Sequence, residues 1–481
     1  MYPPIATTPK KEYNIIVHHP ILLTKEGNGL SSSHAHSSAD QRQRMLETPV
    51  APLICTMAVP TIISMLVTAI YNTADTYFVS QINTSASGAV GIVFSVMAII
   101  QAVGFTVGVG SGSIASRLLG QGNREEANVY AASGILTALV LGVALCILGL
   151  WYIEPFMWIL GSTDTIYPYA LEYARYILLG SPVMILSFTM NNLMRWQGKA
   201  NLAVFGLAAG GILNIVLDPL FIFAFEMGIG GAGLATLISQ FLSMLFLFAL
   251  LLSPKSDLVI RPRYISRSFD TYYHILKQGM PSFWRQGVLS IATMALNFNA
   301  RIYGDAAVAA LSIVSKVFHI ANSVIIGFGH GFQPVLGFNY GAKRWDRVRE
   351  ATVFSLTSCT IILSIAAVVG WFLAEPIVTL FRDDPLVIEI GTTVFRAQCF
   401  VLPTFAMAVF SNMLFQAIGK SWRASLLAIS RPGLLIPTTF LMTRLFGLPG
   451  LEYCQMVTDA LAFLLSAVIM VHYFKYELSR E

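Results

Sequence analysis

From about residue 50 to residue 474 the chain is a succession of long apolar runs separated by short polar breaks, and this pattern constrains its fold more than any other feature. A helix needs about 20 residues to cross roughly 30 Å of hydrocarbon. Lipid offers no partner to the N–H and C=O groups of an irregular backbone, so apolar runs of this length fold as helices. Twelve spans are read, at about 51–80, 86–113, 127–151, 167–190, 201–226, 231–252, 275–302, 306–335, 351–373, 386–412, 422–444 and 451–474. The predicted fold class is therefore an all-α polytopic membrane protein with twelve transmembrane helices. Composition agrees, since 55% of the 481 residues are hydrophobic and only 11% are charged, against roughly 25% charged in an ordinary soluble domain. That deficit excludes a nucleic-acid binder, a disordered scaffold and a typical cytosolic enzyme.

Residues 1–45 read differently, as a disordered cytoplasmic tail rich in Ser, His, Gly and charge. Its His18, His19 and Pro20 interrupt the short apolar patches, so no signal-peptide core is present. Met45, directly before the first span, is an alternative start, and His34 and His36 read as solvated tail. Cys55, Cys146, Cys359, Cys399 and Cys454 are far apart in sequence, lie in or beside apolar stretches, and read as packing thiols. The breaks after even-numbered spans hold Arg117, Arg124, Arg195, Lys199, Lys255, Arg261, Arg263, Arg267, Lys343, Arg344, Arg347, Arg349, Lys420 and Arg423; those after odd-numbered spans hold only Arg301, Arg382 and Arg444. By the positive-inside rule both termini are predicted to be cytoplasmic, in a multi-pass protein of the plasma membrane.

Sliding the chain against itself reveals a duplication. At an offset of 221, Pro60 meets Pro281, Gly108 and Gly110 meet Gly329 and Gly331, and Gly120 meets Gly341. In the same register Glu154-Pro155 meets Glu375-Pro376, Arg175 meets Arg396, Pro182 meets Pro403, Asn191 meets Asn412, and Gly198-Lys199 meets Gly419-Lys420. The offset spans an even number of helices, so both copies enter the membrane the same way. Two parallel six-helix repeats follow, with a cavity between them and an axis along the membrane normal. The predicted division is 46–252 for the N-lobe, 253–273 for a cytoplasmic linker and 274–476 for the C-lobe.

Ionisable groups inside a bilayer cost at least about 2.5–3.5 kcal/mol each, so each needs a reason. The N-lobe offers Asp75 in span 1 and Asp218 in span 5, with Asn214 on the same helical face as Asp218; Thr236 in span 6 adds a hydroxyl. At 1.5 Å per residue Asp75, Asp218 and Thr236 all fall roughly 7–12 Å below the outer surface. They form either an oxygen cage for Na⁺ or a carboxylate pair that carries a proton; the bland reading is that both aspartates cap wet helix ends. The C-half does not repeat the set, because Asp75 meets Leu296, Asn214 meets Leu435 and Asp218 meets Thr439. Tyr71, Asn191, Arg285 and Lys316 are further candidates for a cavity wall, with a helix-end hydrogen bond an equal reading for Asn191. Arg175 and Arg396 read as binders of helix-end carbonyls, and Pro60, Pro182, Pro219, Pro281, Pro334 and Pro403 as sites for kinks. No GxxxxGK followed by Ser or Thr occurs, so the chain is not expected to be an ATP-driven pump or another enzyme.

These residues resemble the multidrug and toxic compound extrusion (MATE) family. Pro60 with Tyr71-Asn72-Thr73-Ala74-Asp75-Thr76 is similar to the family's first helix, and Gly120-Gln121-Gly122-Asn123-Arg124-Glu125-Glu126-Ala127 to its loop after helix 2. Tyr340-Gly341-Ala342-Lys343-Arg344 is similar to the counterpart after helix 8; Asn214-Ile215-Val216-Leu217-Asp218-Pro219 and Gly231-Ala232-Gly233-Leu234-Ala235-Thr236 resemble helices 5 and 6. The resemblance covers about residues 46–476 and is closest to the bacterial branch whose cation site lies in the N-lobe. It implies that Asp75, Asn214, Asp218 and Thr236 bind a coupling Na⁺ or H⁺, and that bulky, often cationic drugs are exported across the bacterial inner membrane. Other members carry carboxylates in the C-lobe cavity that this chain lacks at the matching helices.

The function expected is thus a cation-coupled antiporter, working as a monomer without a cofactor, with small organic molecules and membrane lipid as partners and no nucleic acid. The alternatives are a flippase for lipid-linked precursors, for which Arg285 and Lys316 would face a pyrophosphate head, and a passive channel or receptor, against which the lobe duplication argues.

Overall fold

A computed structural model describes residues 40–478, and among them there is no strand. Twelve long helices follow one another: α1 (Val50–Ser80), α2 (Thr84–Gln121), α3 (Arg124–Trp151), α4 (Tyr167–Trp196), α5 (Ala200–Pro219), α6 (Gly228–Leu252), α7 (Phe269–Ala300), α8 (Asp305–Gly341), α9 (Trp345–Phe381), α10 (Pro385–Ala417), α11 (Ser421–Phe446) and α12 (Leu448–His472). Eleven of the twelve spans are long and apolar enough to cross a membrane on composition alone. The exception is α7, whose 32 residues reach far enough but include Lys277, Gln278, Arg285, Gln286, Asn297 and Asn299. It packs between α2 and α11, and three of its amides bond to neighbouring helices: Gln278 to Gln416 of α10, Gln286 to Gln101 of α2 and Asn299 to Thr443 of α11. A polar span is tolerated where its groups face protein rather than lipid.

The duplication reaches down to single turns. Gly122 ends α2 in the left-handed region (φ +84), with Asn123 N–H on the Leu118 carbonyl at 2.9 Å and Gly122 N–H on Leu119 at 3.1 Å. Its repeat partner Lys343 takes the same conformation (φ +58), with Arg344 N–H on Asn339 at 2.9 Å and Lys343 N–H on Tyr340 at 3.0 Å. Both are Schellman closures, which satisfy the orphan carbonyls of a helix end. Asn191 donates to the Ala203 carbonyl at 2.8 Å and Asn412 to Ala424 at 2.6 Å, the same bond one repeat apart.

The two lobes meet through α1 against α8, α2 against α7, and a crossing of α2 with α8. A Cβ added at Gly120 would fall on the carbonyl of Phe338, and one at Gly341 on the carbonyl of Arg117. Gly120 pairs with Gly341 in the repeat and Arg117 with Phe338, so the crossing lies on the pseudo-twofold axis, and only glycine lets the two backbones approach this closely.

The repeats also diverge. Glu375-Pro376 lies inside α9, whereas Glu154-Pro155 opens a separate short helix, Ile153–Ile159, after α3 ends. Pro403 breaks α10 with a 3-10 turn at Leu402–Thr404, while α4 runs unbroken through Pro182. Two expected boundaries need correction. Residues 40–45, predicted as disordered tail, are helical as part of residues 40–47; Met45 is fully buried, Arg42 donates to the Gly120 carbonyl at 3.0 Å, and Asn339 donates to the Met45 carbonyl at 3.2 Å. The rest of the predicted tail, with His34 and His36, lies outside the described residues. The segment read as a linker is bolted to the N-lobe: Lys199 pairs with Asp257 at 3.0 Å, and Gln197 Oε1 accepts from the amides of Asp257 and Leu258. Asn128 and Ser133 accept from the amides of Val259 and Ser266. All five cysteines are free.

Candidate functional site

Inside the N-lobe, α1, α4, α5 and α6 bring one polar cluster together. Asn214 and Asp218 stand one turn apart on α5, and the Asn214 amide donates to Asp218 Oδ1 at 2.9 Å and to Thr236 Oγ1 at 3.4 Å. Asp75 on α1 accepts from the Tyr173 hydroxyl of α4 at 3.1 Å. The local sequence explains the placement. Pro219 has no N–H to give the preceding turn, and the helix widens into a π-turn at Leu220–Ala224 immediately after Asp218. The glycine-rich start of α6 then packs on that turn, where a Cβ at Gly231 would stand 2.7 Å from the Phe221 carbonyl. That approach carries Thr236 to the cluster.

Burial makes this arrangement expensive without a further occupant. Asp75 is 6% exposed, Asn214 3%, Thr236 4% and Asp218 not at all. Asp75 Oδ1, Asn214 Oδ1 and Asp218 Oδ2 are buried with no hydrogen-bond partner. One oxygen of each carboxylate and an amide oxygen left without donors fit a cation or a proton, and unpaired buried charge is costly otherwise. The donor set is all oxygen and holds only two carboxylates, as suits a hard monovalent cation; among the described residues no cluster of three or more His, Cys, Asp or Glu exists. The equivalent place in the C-lobe carries no carboxylate: Leu296 and Leu435 lie with Cys454 in one buried cluster, and Thr439, at the place of Asp218, donates to Cys454 Sγ at 3.6 Å.

The other predicted residues are spread out. Tyr71 is 8% exposed and turns its ring onto Gly211 of α5, one turn from Asp75, so it walls the acidic cluster. Of the two readings for Asn191, its amide makes the helix-end bond, to Ala203. Arg285 on α7 is half-buried and Lys316 on α8 is exposed. Arg396 donates to the Trp371 carbonyl at 3.4 Å, inside α9 rather than at a helix end as expected. Two features escaped the sequence reading. Tyr173 lies two residues from Arg175 in an unremarkable stretch, and only the fold shows it facing Asp75. Arg431 on α11 and Asp459 on α12 form an intramembrane ion pair at 2.5 Å in the C-lobe; charged residues within two apolar spans were the available signal.

The lobes are joined on one side of the membrane, the side bearing the basic loops. Every residue of α2 from Thr106 to Ser113 and of α8 from Gly327 to Asn339 is buried. Thr61 donates to the Gly327 carbonyl at 2.5 Å, Arg117 to Ala417 at 2.7 Å and Arg347 to Thr48 at 2.6 Å. The Gln101–Gln286 bond at 3.1 Å stands nearest mid-helix. Beyond it no interlobe hydrogen bond is present among the described residues, and the same helices show exposed side chains such as Phe94 and Ile320. The result is a cleft closed on the basic side and open on the other.

Known proteins share this architecture and the duplication. The chain is 25% identical over 435 residues to the multidrug export protein MepA of Staphylococcus aureus (strain N315), covering 90% of this chain and 96% of that protein. It is 24% identical over 426 residues to MepA of Staphylococcus haemolyticus, covering 88% and 94%. Among solved structures it is similar to a MATE protein in complex with MaL6 (TM-score 0.86, 26% identity, 91% of this chain and 99% of that one). It is also similar to an outward-facing multidrug resistance MATE transporter of the MOP superfamily (TM-score 0.84, 25% identity, 91% and 98%). The MatE family model matches twice, at residues 60–220 and 281–441, in the register of the internal repeat. With two matched repeats, the twelve-helix fold and these relatives, the chain belongs to the MatE family of membrane transporters.

Proposed function

We propose that the protein is a cation-coupled antiporter that exports amphipathic, often cationic, organic compounds from the cytoplasm by alternating access. The observation that carries the reading is the trio of orphaned oxygens on Asp75, Asn214 and Asp218. Three buried acceptor oxygens without donors suit Na⁺ or H⁺, and a site that fills and empties biases a conformational equilibrium by its differential affinity for the two states. The export reading is supported by relatives named as multidrug export proteins.

α1 links the site to the cleft. Its far half carries Asp75, and its near half holds the C-lobe through Thr61 and Gly327. Pro60 lies next to Thr61 and leaves one turn of α1 without its backbone bond, a place for bending. Cation entry draws the far half of α1 onto α4, α5 and α6, which changes the wall that substrate meets; substrate leaves on the open side, and cation release resets the helix. With the basic loops cytoplasmic, the cleft opens outward. Purified protein in liposomes tests this: an inward-directed Na⁺ or H⁺ gradient should drive ethidium in the opposite direction, and the same flux without any gradient would sink the antiport reading.

A further inference from the structure

The floor of the cleft holds a second polar cluster, of opposite charge to the acidic site. Arg195 at the end of α4 and His330 on α8 are each 2% exposed, and Arg285 on α7 is half-buried above them. α8 packs against both α4 and α7, and Gln286, next to Arg285, bonds to Gln101 one turn from the Phe105 ring that stacks on His330. Neither Arg195 nor Arg285 has a carboxylate at ion-pair distance among the described residues, and Arg285 has no hydrogen-bond partner there either. Arg195 Nε and His330 Nδ1 are buried and without partners.

The internal repeat shows that this shortfall is particular to one lobe. Arg195 is the repeat partner of Gln416, which is fully engaged: it accepts from Gln333 at 3.1 Å and donates to Ser282 at 2.9 Å. On the N-lobe side the places of Gln333 and Ser282 are taken by Gly112 and Thr61. Arg195 finds only Asn192 Oδ1, at 2.5 Å. The cluster stands where α8 becomes buried on all faces, with His330 about 16 Å of helix above Gly341. The Phe105 ring stacks on His330 at 6.2 Å between centroids, giving the floor an apolar edge.

A buried guanidinium and a half-buried one beside it, with no counter-charge, favour an anion between them. Resting on the export reading above, we propose that Arg195, Arg285 and His330 form an anion-receiving subsite at the floor of the cleft, which takes the carboxylate of a zwitterionic or anionic amphipath. The substrate's apolar body lies against the cleft wall while the guanidinium groups hold its anionic end. Within the amphipathic, often cationic, class proposed above, this favours compounds that also carry a carboxylate.

The test uses the full chain in nanodiscs and a matched dye pair, rhodamine B with its free carboxylate and rhodamine B ethyl ester without it, read by fluorescence anisotropy. The free acid should bind about tenfold tighter than the ester, as expected for one charge-assisted bidentate contact. Arg285→Gln should bring that ratio to about one, and Arg285→Lys should keep part of it; helix content and monodispersity show that each variant is folded. Equal binding of the two dyes to the wild-type protein, or a ratio that survives Arg285→Gln, overturns the subsite and leaves the export reading standing. Failure of both dyes to bind folded wild-type protein contradicts the export reading itself and the subsite with it.

Discussion

Replacing Asp75 by Asn keeps the shape of the acidic cluster and removes one of its two charges. The Tyr173 hydroxyl, which donates to Asp75 at 3.1 Å, can donate equally to an amide oxygen, so the fold should lose no more than about 1 kcal/mol. Cation binding responds very differently. A carboxylate and a monovalent cation about 4 Å apart attract by about 4 kcal/mol at an effective dielectric of about 20. At about 1.4 kcal/mol per decade, the coupling-cation affinity falls about a thousandfold. Removing one of two like charges also relieves repulsion with Asp218 in the cation-free state. The melting temperature of wild-type protein should therefore climb with Na⁺ at fixed pH, or with falling pH, by mass action. That of the Asp75→Asn protein should start at a similar value and stay flat, while ethidium efflux from cells collapses at unchanged protein level. A variant that keeps both the cation-dependent melting shift and efflux refutes the role given to Asp75.

Other parts of the structure make separate predictions. Tyr173→Phe removes only the donor to Asp75 and should shift the cation dependence of transport by about ten- to a hundredfold while leaving the fold intact, as titrations of transport rate against Na⁺ and pH would show. Gly341→Ala and Gly120→Ala each place a Cβ on a backbone carbonyl across the crossing, and an overpacking cost of about 1–3 kcal/mol should open the basic side; spin-label distances across that side should lengthen in both variants. Asp257→Ala strands Lys199, whose side chain is 11% exposed beside it, and should cost about 3–5 kcal/mol, read as a lower melting temperature that Lys199→Met partly restores.

Much of the fold was legible because membrane proteins write their constraints in composition. Apolar runs gave the helices, and the register of 221 residues is the one in which the family model matches twice; the turn that Gly122 and Lys343 share came only from the fold. Asp75, Asp218 and Thr236 could be grouped from depth, because helices of known rise place them at one level, and Asn214 from its place one turn before Asp218; Asn214 bonds Asp218 and Thr236, while Asp75 is held by Tyr173. What eluded the sequence depends on contacts between distant segments. Tyr173 has no pattern of its own and matters only because α4 packs beside α1. The span α7 is legible at about 275–302 despite its polar residues, but the partners that Gln278, Gln286 and Asn299 find on other helices are not. The linker near Asp257 reads as slack polar chain, yet Gln197 and Asn128 take its amides one after another. The cationic floor joins Arg195, Arg285 and His330 from three helices, a proximity that no spacing along the chain could reveal.

The central claim is that cation occupancy of the acidic N-lobe cluster drives export. Its most direct test is ethidium counterflow in proteoliposomes under an imposed Na⁺ or proton gradient, comparing wild-type protein with Asp218→Asn. Gradient-driven flux in the wild type that is abolished in the folded variant is the predicted result. Equal gradient-driven flux in both proteins would contradict it.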